Sequence, residues 1–379
     1  MRKSILLFAA MAVALLASVG YLLVLPIDSA RGDATLPSGF VRSPVVGGLT
    51  DPVDMEFAPD GRLFVAEQAG KLYIVKPDGT LAKFLDISSK VDSTGERGLM
   101  AVAFDPNFST NHYVYLDYTR AATATAPVHN RVARVTASGD RAVAGSEKLI
   151  FRLNDQDDTH HMGGAIDFGK NGKLYVATGD NVGGPTQTLG NLLGKMLRIN
   201  KNGTIPTNNP FYAATSGSNR AIWALGLRNP FKFAVQPDTG TIFINDVGEN
   251  AWEEINRNEK GANYGWNVHE GVANDPPYVD PIFSYAHDGD LATTGCSITG
   301  GAFYNPATAQ FPAEYEGGYF FADFCSGWIR VLDPSTGKAR GFATGLENPV
   351  DLEVSRGGGL YYLTRGATPS VSKIRYTGS

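Results

Sequence analysis

The chain is poor in cysteine, in charge and in helical periodicity, and each shortage closes off a class of protein. Two cysteines among 379 residues, Cys296 and Cys325, leave no disulfide-dense scaffold and no Cys-x-x-Cys motif. The six histidines contain no His-x-x-x-His pair, so the usual zinc spacings are missing as well. Charged residues make up 19% of the chain, too few for a disordered polymer. The formal net charge is −5 and no basic run follows the N-terminus, which excludes nucleic acid as a partner. Neither a Gly-rich phosphate loop nor a Gly-x-Ser-x-Gly elbow occurs, which disfavours nucleotide-dependent and serine-hydrolase chemistry. Windows with helical periodicity are scarce, and "TLGNLLGKMLRI", residues 188–199, is the one modest helix candidate.

What is present is apolar surface and turns. Hydrophobic residues reach 43% and aromatics 11%, enough for a large core, while 44 glycines and 21 prolines punctuate short elements. One pattern recurs six times: a Gly, Asp or Asn turn, an alternating apolar run, then another polar turn. The copies start at Phe57 ("FAPDGRLFVAEQAGKLYIV"), Phe104 ("FDPNFSTNHYVYLDYT"), Phe168 ("FGKNGKLYVATGDN"), Val235 ("VQPDTGTIFINDVGEN"), Tyr315 ("YEGGYFFADFCSGWIRVLDP") and Val354 ("VSRGGGLYYLTRG"). Period-2 alternation between Gly-rich turns reads as strands and hairpins. Repetition at intervals of roughly 40–80 residues reads as an all-β, six-bladed propeller of four-stranded antiparallel blades. A β-sandwich is the competing architecture, but it does not call for six copies of one signature.

The N-terminus reads as an address. Arg2 and Lys3 precede the uncharged stretch "SILLFAAMAVALLASVGYLLVLP", and the first acid is Asp28. This is the export pattern, yet residues 4–26 are also about long enough to span a bilayer, for which ~20 residues are needed. Residues 1–30 are therefore a signal peptide or a membrane anchor, 31–40 a linker, and 41–379 the propeller, placed in the periplasm or outside the cell. That oxidising setting favours pairing Cys296 with Cys325 over two free buried thiols. A bridge closing a loop of this size stabilises by roughly 3–4 kcal/mol on the chain-entropy model.

Four stretches carry candidate chemistry. In "DTHHMGGAIDFGKNGKLYVATGDN", residues 158–181, His160 and His161 stand where a strand should begin. Adjacent strand residues point to opposite faces, so they do not form a metal pair. A histidine at that entrance suits a general base, and a solvated or hydrogen-bonded histidine is the plainer alternative. Arg228 and Asn229, in "WALGLRNPFKFAV", are loop residues whose guanidinium can grip anionic oxygens or merely bond loop carbonyls. Residues 244–271 offer Asp246, Glu249, Glu253 and Glu254 with turn carbonyls, hard oxygen ligands of the kind Ca²⁺ takes, without EF-hand spacing; Trp252 and Trp266 read equally well as core. Glu96 and Arg97 in "TGERGLMAVAFDP" have a local ion pair as their simplest reading.

Taken together, "GERGLMAVAFDPNF", "HHMGGAIDFGKNGKLYVATGD", "ALGLRNPFKF", "DVGENAWEEIN", "GANYGW" and "CSITGGAFY…GYFFADFCSG" resemble, in order, the glucose/sorbosone dehydrogenase family over about residues 40–378. That family contains soluble sugar dehydrogenases using pyrroloquinoline quinone (PQQ) and Ca²⁺, as well as binding proteins. The resemblance implies a six-bladed propeller oxidising an aldose at C1, with an electron acceptor as second partner. It puts the base on His161, the quinone contacts on Arg228 and Asn229, and Asn181 near the cofactor. His160 and Glu96 fall at the sugar. Calcium falls to Gly248 and Glu249, with Glu253 and Tyr264 beside them. Two positions depart from the family pattern: Asn305 and Trp328 stand where cations facing the cofactor's carboxylates are expected, with Arg330, Lys373 or Arg375 as substitutes. The departure motivates a second reading, a calcium-stabilised propeller that has lost the cofactor and acts as a binding module. A lactonase-type hydrolase is disfavoured because the sequence suggests no carboxylate set around the axis.

Overall fold

A computed structural model describes residues 34–290 and 293–378. The export or anchor segment, residues 1–30, lies outside the described residues.

The alternating runs fold into strands, and the turns between them repeat one geometry. In "APDGR" the Ala58 amide donates to Arg62 O at 2.9 Å and the Gly61 amide to Ala58 O at 2.8 Å. The same pair of bonds closes Gly169–Lys173 and Ser355–Gly359. Gly61, Gly172 and Gly358 all take φ between 69° and 89°, the left-handed conformation such a turn needs and a side chain resists. The recurring signature is thus a hairpin between the first two strands of a blade. The copy at Tyr315 is shifted, joining the second and third strands instead.

Six antiparallel sheets result, as the repeats predict. Their innermost strands are Pro52–Phe57, Leu99–Phe104, Gly163–Phe168, Asn229–Val235, Ile298–Phe303 and Pro349–Val354. Each touches the next, and the last returns to the first, so they ring a central channel. The second blade carries an extra short strand, Arg141–Ala142. The ring is fastened by the chain's two ends: Phe40–Gly47 is the outermost strand of the sixth blade, pairing with Ser370–Tyr376 from Phe40↔Tyr376 to Gly47↔Ser370.

The core is divided among the gaps between blades. Phe64, Leu72, Phe104 and Leu116 fill the gap between the first and second, and an aromatic group of Phe40, Phe311, Tyr315, Phe320 and Phe342 fills that between the fifth and sixth. Burying a side chain of this size is worth about 1.5–3 kcal/mol, so each interface is a substantial spring holding the ring shut.

Two expectations are corrected. Residues 188–199 are not helical: Gly190 and Gly194 interrupt them, and Lys195–Ile199 is a strand buried on both faces, which reads as a continuous apolar run. The single α-helix among the described residues is one turn, Phe108–Asn111. The linker is also shorter than 31–40. Thr35 exchanges both backbone hydrogen bonds with Thr344, Ala34 and Leu36 pack on the core, and Phe40 is itself a buried strand residue. No helix among the described residues is long and apolar enough to cross a membrane.

Candidate active site

The inner strands all run the same way through the ring, and where they begin they enclose a cavity of about 450 Å³. Val53, Met100, Gly163, Asn229, Thr299 and Val350, one from each blade, form its base, and loop residues Glu96, His161, Arg228, Gly248, Glu249 and Arg365 form its walls. A second cavity of about 480 Å³ adjoins it and shares His161, Arg228 and Glu249.

His161 occupies a turn and not a strand, with φ 55°, a left-handed conformation that costs a non-glycine residue about 1 kcal/mol or more. The turn is held from outside. Glu96 Oε2 accepts the His161 amide at 2.8 Å and the Met162 amide at 3.4 Å, and Asn229 Oδ1 accepts the Gly163 amide at 2.9 Å. A side chain at Gly163 (φ 62°) would come within 2.7 Å of the Gly179 amide, which explains the glycine. The imidazole Nδ1 lies 2.7 Å from Asp180 Oδ1. Asp180 is fully buried but also accepts from the Trp266 indole at 2.9 Å and from the Val182 and Gly183 amides. Burial pushes its carboxyl upward, yet the bonds from His161 and Trp266 outweigh that and hold it below the usual range. An ionised carboxylate only accepts, so Nδ1 is the donor of this bond, and the neutral ring carries its lone pair on Nε2.

Arg228 lines the same cavity. Its amide and that of Asn229 donate to the two oxygens of Asp246 at 3.0 and 2.7 Å, which sets the pair's orientation. The guanidinium lies 5.5 Å over the Trp266 ring, and Nη1 donates to Val247 O at 3.2 Å. Its Nε is buried and has no hydrogen-bond partner within the protein.

The other expected residues divide. Glu96, Asn229, Gly248 and Glu249 line the cavity. Asn181 does not: its amide is consumed by Asp157 N at 2.8 Å and Asp158 O at 3.1 Å, so it pins the loop behind His161. His160 points to solvent and bonds Asp158 at 3.0 Å. The two histidines are separated by this turn and not by strand alternation. Glu253 is buried between His287 at 2.6 Å and the Ile298 amide at 2.8 Å, tying two blades. Tyr264 is core, its hydroxyl donating to Arg257 O at 2.5 Å. Neither Glu253 nor Tyr264 lines either cavity. Among the described residues no group of three or more His, Cys, Asp or Glu is arranged to hold a metal. Cys296 and Cys325 are disulfide-bonded, with Cys296 in the cavity wall.

The two departures change meaning. Trp328 is a core residue, its indole donating to Thr294 O at 3.0 Å, and Arg330 is stacked over Trp328 and its neighbours. Asn305 lies at the other end of the channel. Neither position faces the cavity, so neither leaves a missing cation there. Sequence reading overlooked two further cations that line it, Lys232 and Arg365; the latter closes the "LYYLTRG" repeat and binds Gln68. It also overlooked Asp180, whose signal was its place just after the "YVATG" strand.

Where the inner strands end, a smaller cavity of about 210 Å³ is lined by Asp54, Glu56, Asp167, Asp351 and Glu353 around Lys232. The channel therefore does carry carboxylates about its axis, contrary to expectation. Strand alternation on each blade conceals that they converge.

The channel mouth thus brings a carboxylate-bonded imidazole and a guanidinium into one cavity, and similarity to known proteins gives the chain a family. The glucose/sorbosone dehydrogenase family model matches residues 49–368, and the chain belongs to that family. It is 27% identical to the HIPL2 protein of Arabidopsis thaliana, over 87% of this chain and 60% of that protein. It is 28% identical to quinoprotein glucose dehydrogenase B of Acinetobacter calcoaceticus, over 78% of this chain and 66% of that one. The chain thus spans about three fifths to two thirds of these relatives' length. A Thermus thermophilus structure described as a putative oxidoreductase (glucose dehydrogenase) superposes with a TM-score of 0.75 at 28% identity, covering 89% of this chain and all of that one.

Proposed function

We propose that the protein oxidises an aldose at C1 to the lactone, using PQQ and Ca²⁺, outside the cytoplasm. The observation that carries this is the His161–Asp180 pair in a cavity that Arg228 and Asn229 also line. Family membership supplies the redox class, and the disulfide supports an exported chain.

The residues present suit the cofactor. Arg228 and Arg365 line the cavity with Asn229 beside Arg228, and a third cation there, Lys232, is paired with Asp54 and Asp351. Arg228 and Asn229 would hold the quinone oxygens, Arg365 a carboxylate, and the Gly248–Glu249 turn the calcium. When bound, PQQ supplies the carbon that accepts hydride from the sugar. Everything else falls to the chain. His161 Nε2 takes the proton of the C1 hydroxyl, and Asp180 stabilises the imidazolium so formed. Glu96 holds the His161 turn in place through its amide bonds and presents its other oxygen to sugar hydroxyls. Trp266 and Asp246 position Asp180 and Arg228 respectively.

The second reading is a cofactor-free binding module. Asn305 and Trp328 motivate it on sequence although neither lines the cavity, and similarity to the Hedgehog-interacting protein of Mus musculus, 31% identical over 53% of this chain and 32% of that one, fits it. Titration of the protein with PQQ in the presence of Ca²⁺, followed by calorimetry, separates the two. Saturable binding with dye-linked aldose oxidation supports the enzyme. Stabilisation by Ca²⁺ with indifference to PQQ supports the module.

A further inference from the structure

Oxidising an aldose to its lactone breaks a C–H and an O–H bond and releases two electrons and two protons. The protons can pass to water, but the electrons need a carrier that reaches the channel mouth. One face of the molecule is built for such a visitor. Of the six exposed large apolar side chains among the described residues, Val182, Trp252, Val268 and Val272 gather beside the cavity, each 39–57% exposed. Val182 and Val268 line the annex that shares His161, Arg228 and Glu249 with the main cavity. Trp252 is joined to the same wall, because its amide donates to Glu270 Oε1 at 3.1 Å and its ring lies against Gly271, next to Val272. Single exposed valines mean little, but a cluster at a cavity mouth marks an interaction surface.

Apart from Arg228 inside the annex, the charge along the chain at this cluster is acidic. Residues 261–290 contain Glu270, Asp275, Asp280, Asp288 and Asp290 and no lysine or arginine; Glu249 adds to them from the neighbouring turn. Glu270 accepts four consecutive amides, Glu249 to Trp252, which fixes its carboxyl group against this turn.

We propose that this acid-rimmed apolar face, next to His161, docks a basic one-electron carrier protein, which collects the two electrons of each turnover in two visits. The proposal rests on the oxidation reading for its purpose, though not for its geometry. Apolar contact at the centre gives adhesion, and the acid rim steers a cationic partner, an effect that weakens with salt.

The test uses the full chain loaded with PQQ and Ca²⁺, a lysine-rich c-type cytochrome as carrier, and a small uncharged dye as control. Cytochrome reduction should fall at least about fivefold between about 20 and 200 mM salt, while dye reduction hardly changes. The double variant Asp275→Lys/Asp288→Lys and the single variant Val272→Asp should each lower the cytochrome rate by about fivefold or more and leave the dye rate intact. Equal rates in wild type and variants, or no salt dependence, would overturn the proposal. Calorimetric binding of the oxidised cytochrome to cofactor-free protein at low salt tests the face even if no aldose is oxidised, and absence of binding there sinks the docking face alone. Sedimentation provides a last arm: a dimer that Val272→Asp dissociates would give the face to a second copy of the chain and also overturn the proposal.

Discussion

The two ends of the channel are lined by the same six inner strands, a few residues apart, and Asp180 at one end fares differently from the carboxyl groups at the other. At the mouth, Asp180 is fully buried but surrounded by donors, and it is held below its ordinary value. At the far end, burial raises Glu56 and Glu353 well above the carboxylate range, Asp167 to about 7 and Asp351 to about 6. The far-end acids are not short of donors: the Met55 amide donates to Asp351 and the Val102 amide to Asp54, each at 2.8 Å, and Lys232 bridges the two acids. At Asp351 burial outweighs those bonds, and at Glu56 and Glu353 neighbouring carboxyl groups reinforce it. Asp180 instead gathers an imidazole, an indole and two amides from the turns at the mouth, where His161, Asn181 and Val182 all have positive φ. Lys232, which borders both cavities, bridges Asp54 and, at 3.2 Å, Asp351, and so forms the floor between the two environments.

The sharpest way to break the comparison is at the mouth. His161→Gln in the loaded protein should cost about a thousandfold in aldose oxidation, within the range removed with a general base, and leave the melting temperature nearly unchanged. Asp180→Asn, which swaps the preferred ring tautomer, should cost about a hundredfold or more. Dye-linked kinetics alongside calorimetric melting would read both. An active His161→Gln protein means the imidazole is not the base.

The floor comes next. Lys232→Met strands two buried acids and should cost about 3–5 kcal/mol in urea unfolding. Adding Asp54→Asn and Asp351→Asn should return part of that loss. A Lys232→Met protein as stable as wild type would mean that the ion triad does not hold the inner strands.

The smallest effect lies at the far end. The folded value of Asp167 is about 7, above its unfolded value. Its ionisation therefore opposes folding: the penalty is absent below pH ~4 and grows as pH rises towards about 7. Asp167→Asn should be more stable than wild type by about 1 kcal/mol above that range, with the gain vanishing in acid. Parallel stability curves at all pH values would show that the far end does not neutralise its acids.

Much of this molecule was legible in its sequence. The Pro-Asp-Gly and Asn-Gly turns with alternating apolar runs are local signals, and six of them announce six blades. His161, Arg228, Asn229, Glu96, Gly248 and Glu249 were found from motif order, and all reach one cavity. Residues 188–199 misled because a strand buried on both faces has no alternation to distinguish it from a helix. Asn181 and His160 misled because adjacency in sequence does not say which side chain of a turn is spent on the backbone.

By itself, then, the sequence determined what short-range physics can encode: where strands run, where glycine must bend them, and how many times the unit repeats. Ring closure decided the rest. It set Asp180 behind His161, left Arg228 Nε without a partner, sent Asn305 to the far end and drew five scattered carboxyl groups onto one axis. Those outcomes depend on which groups meet and which lose water, and both are settled only when the sixth blade closes on the strand that begins the chain's fold.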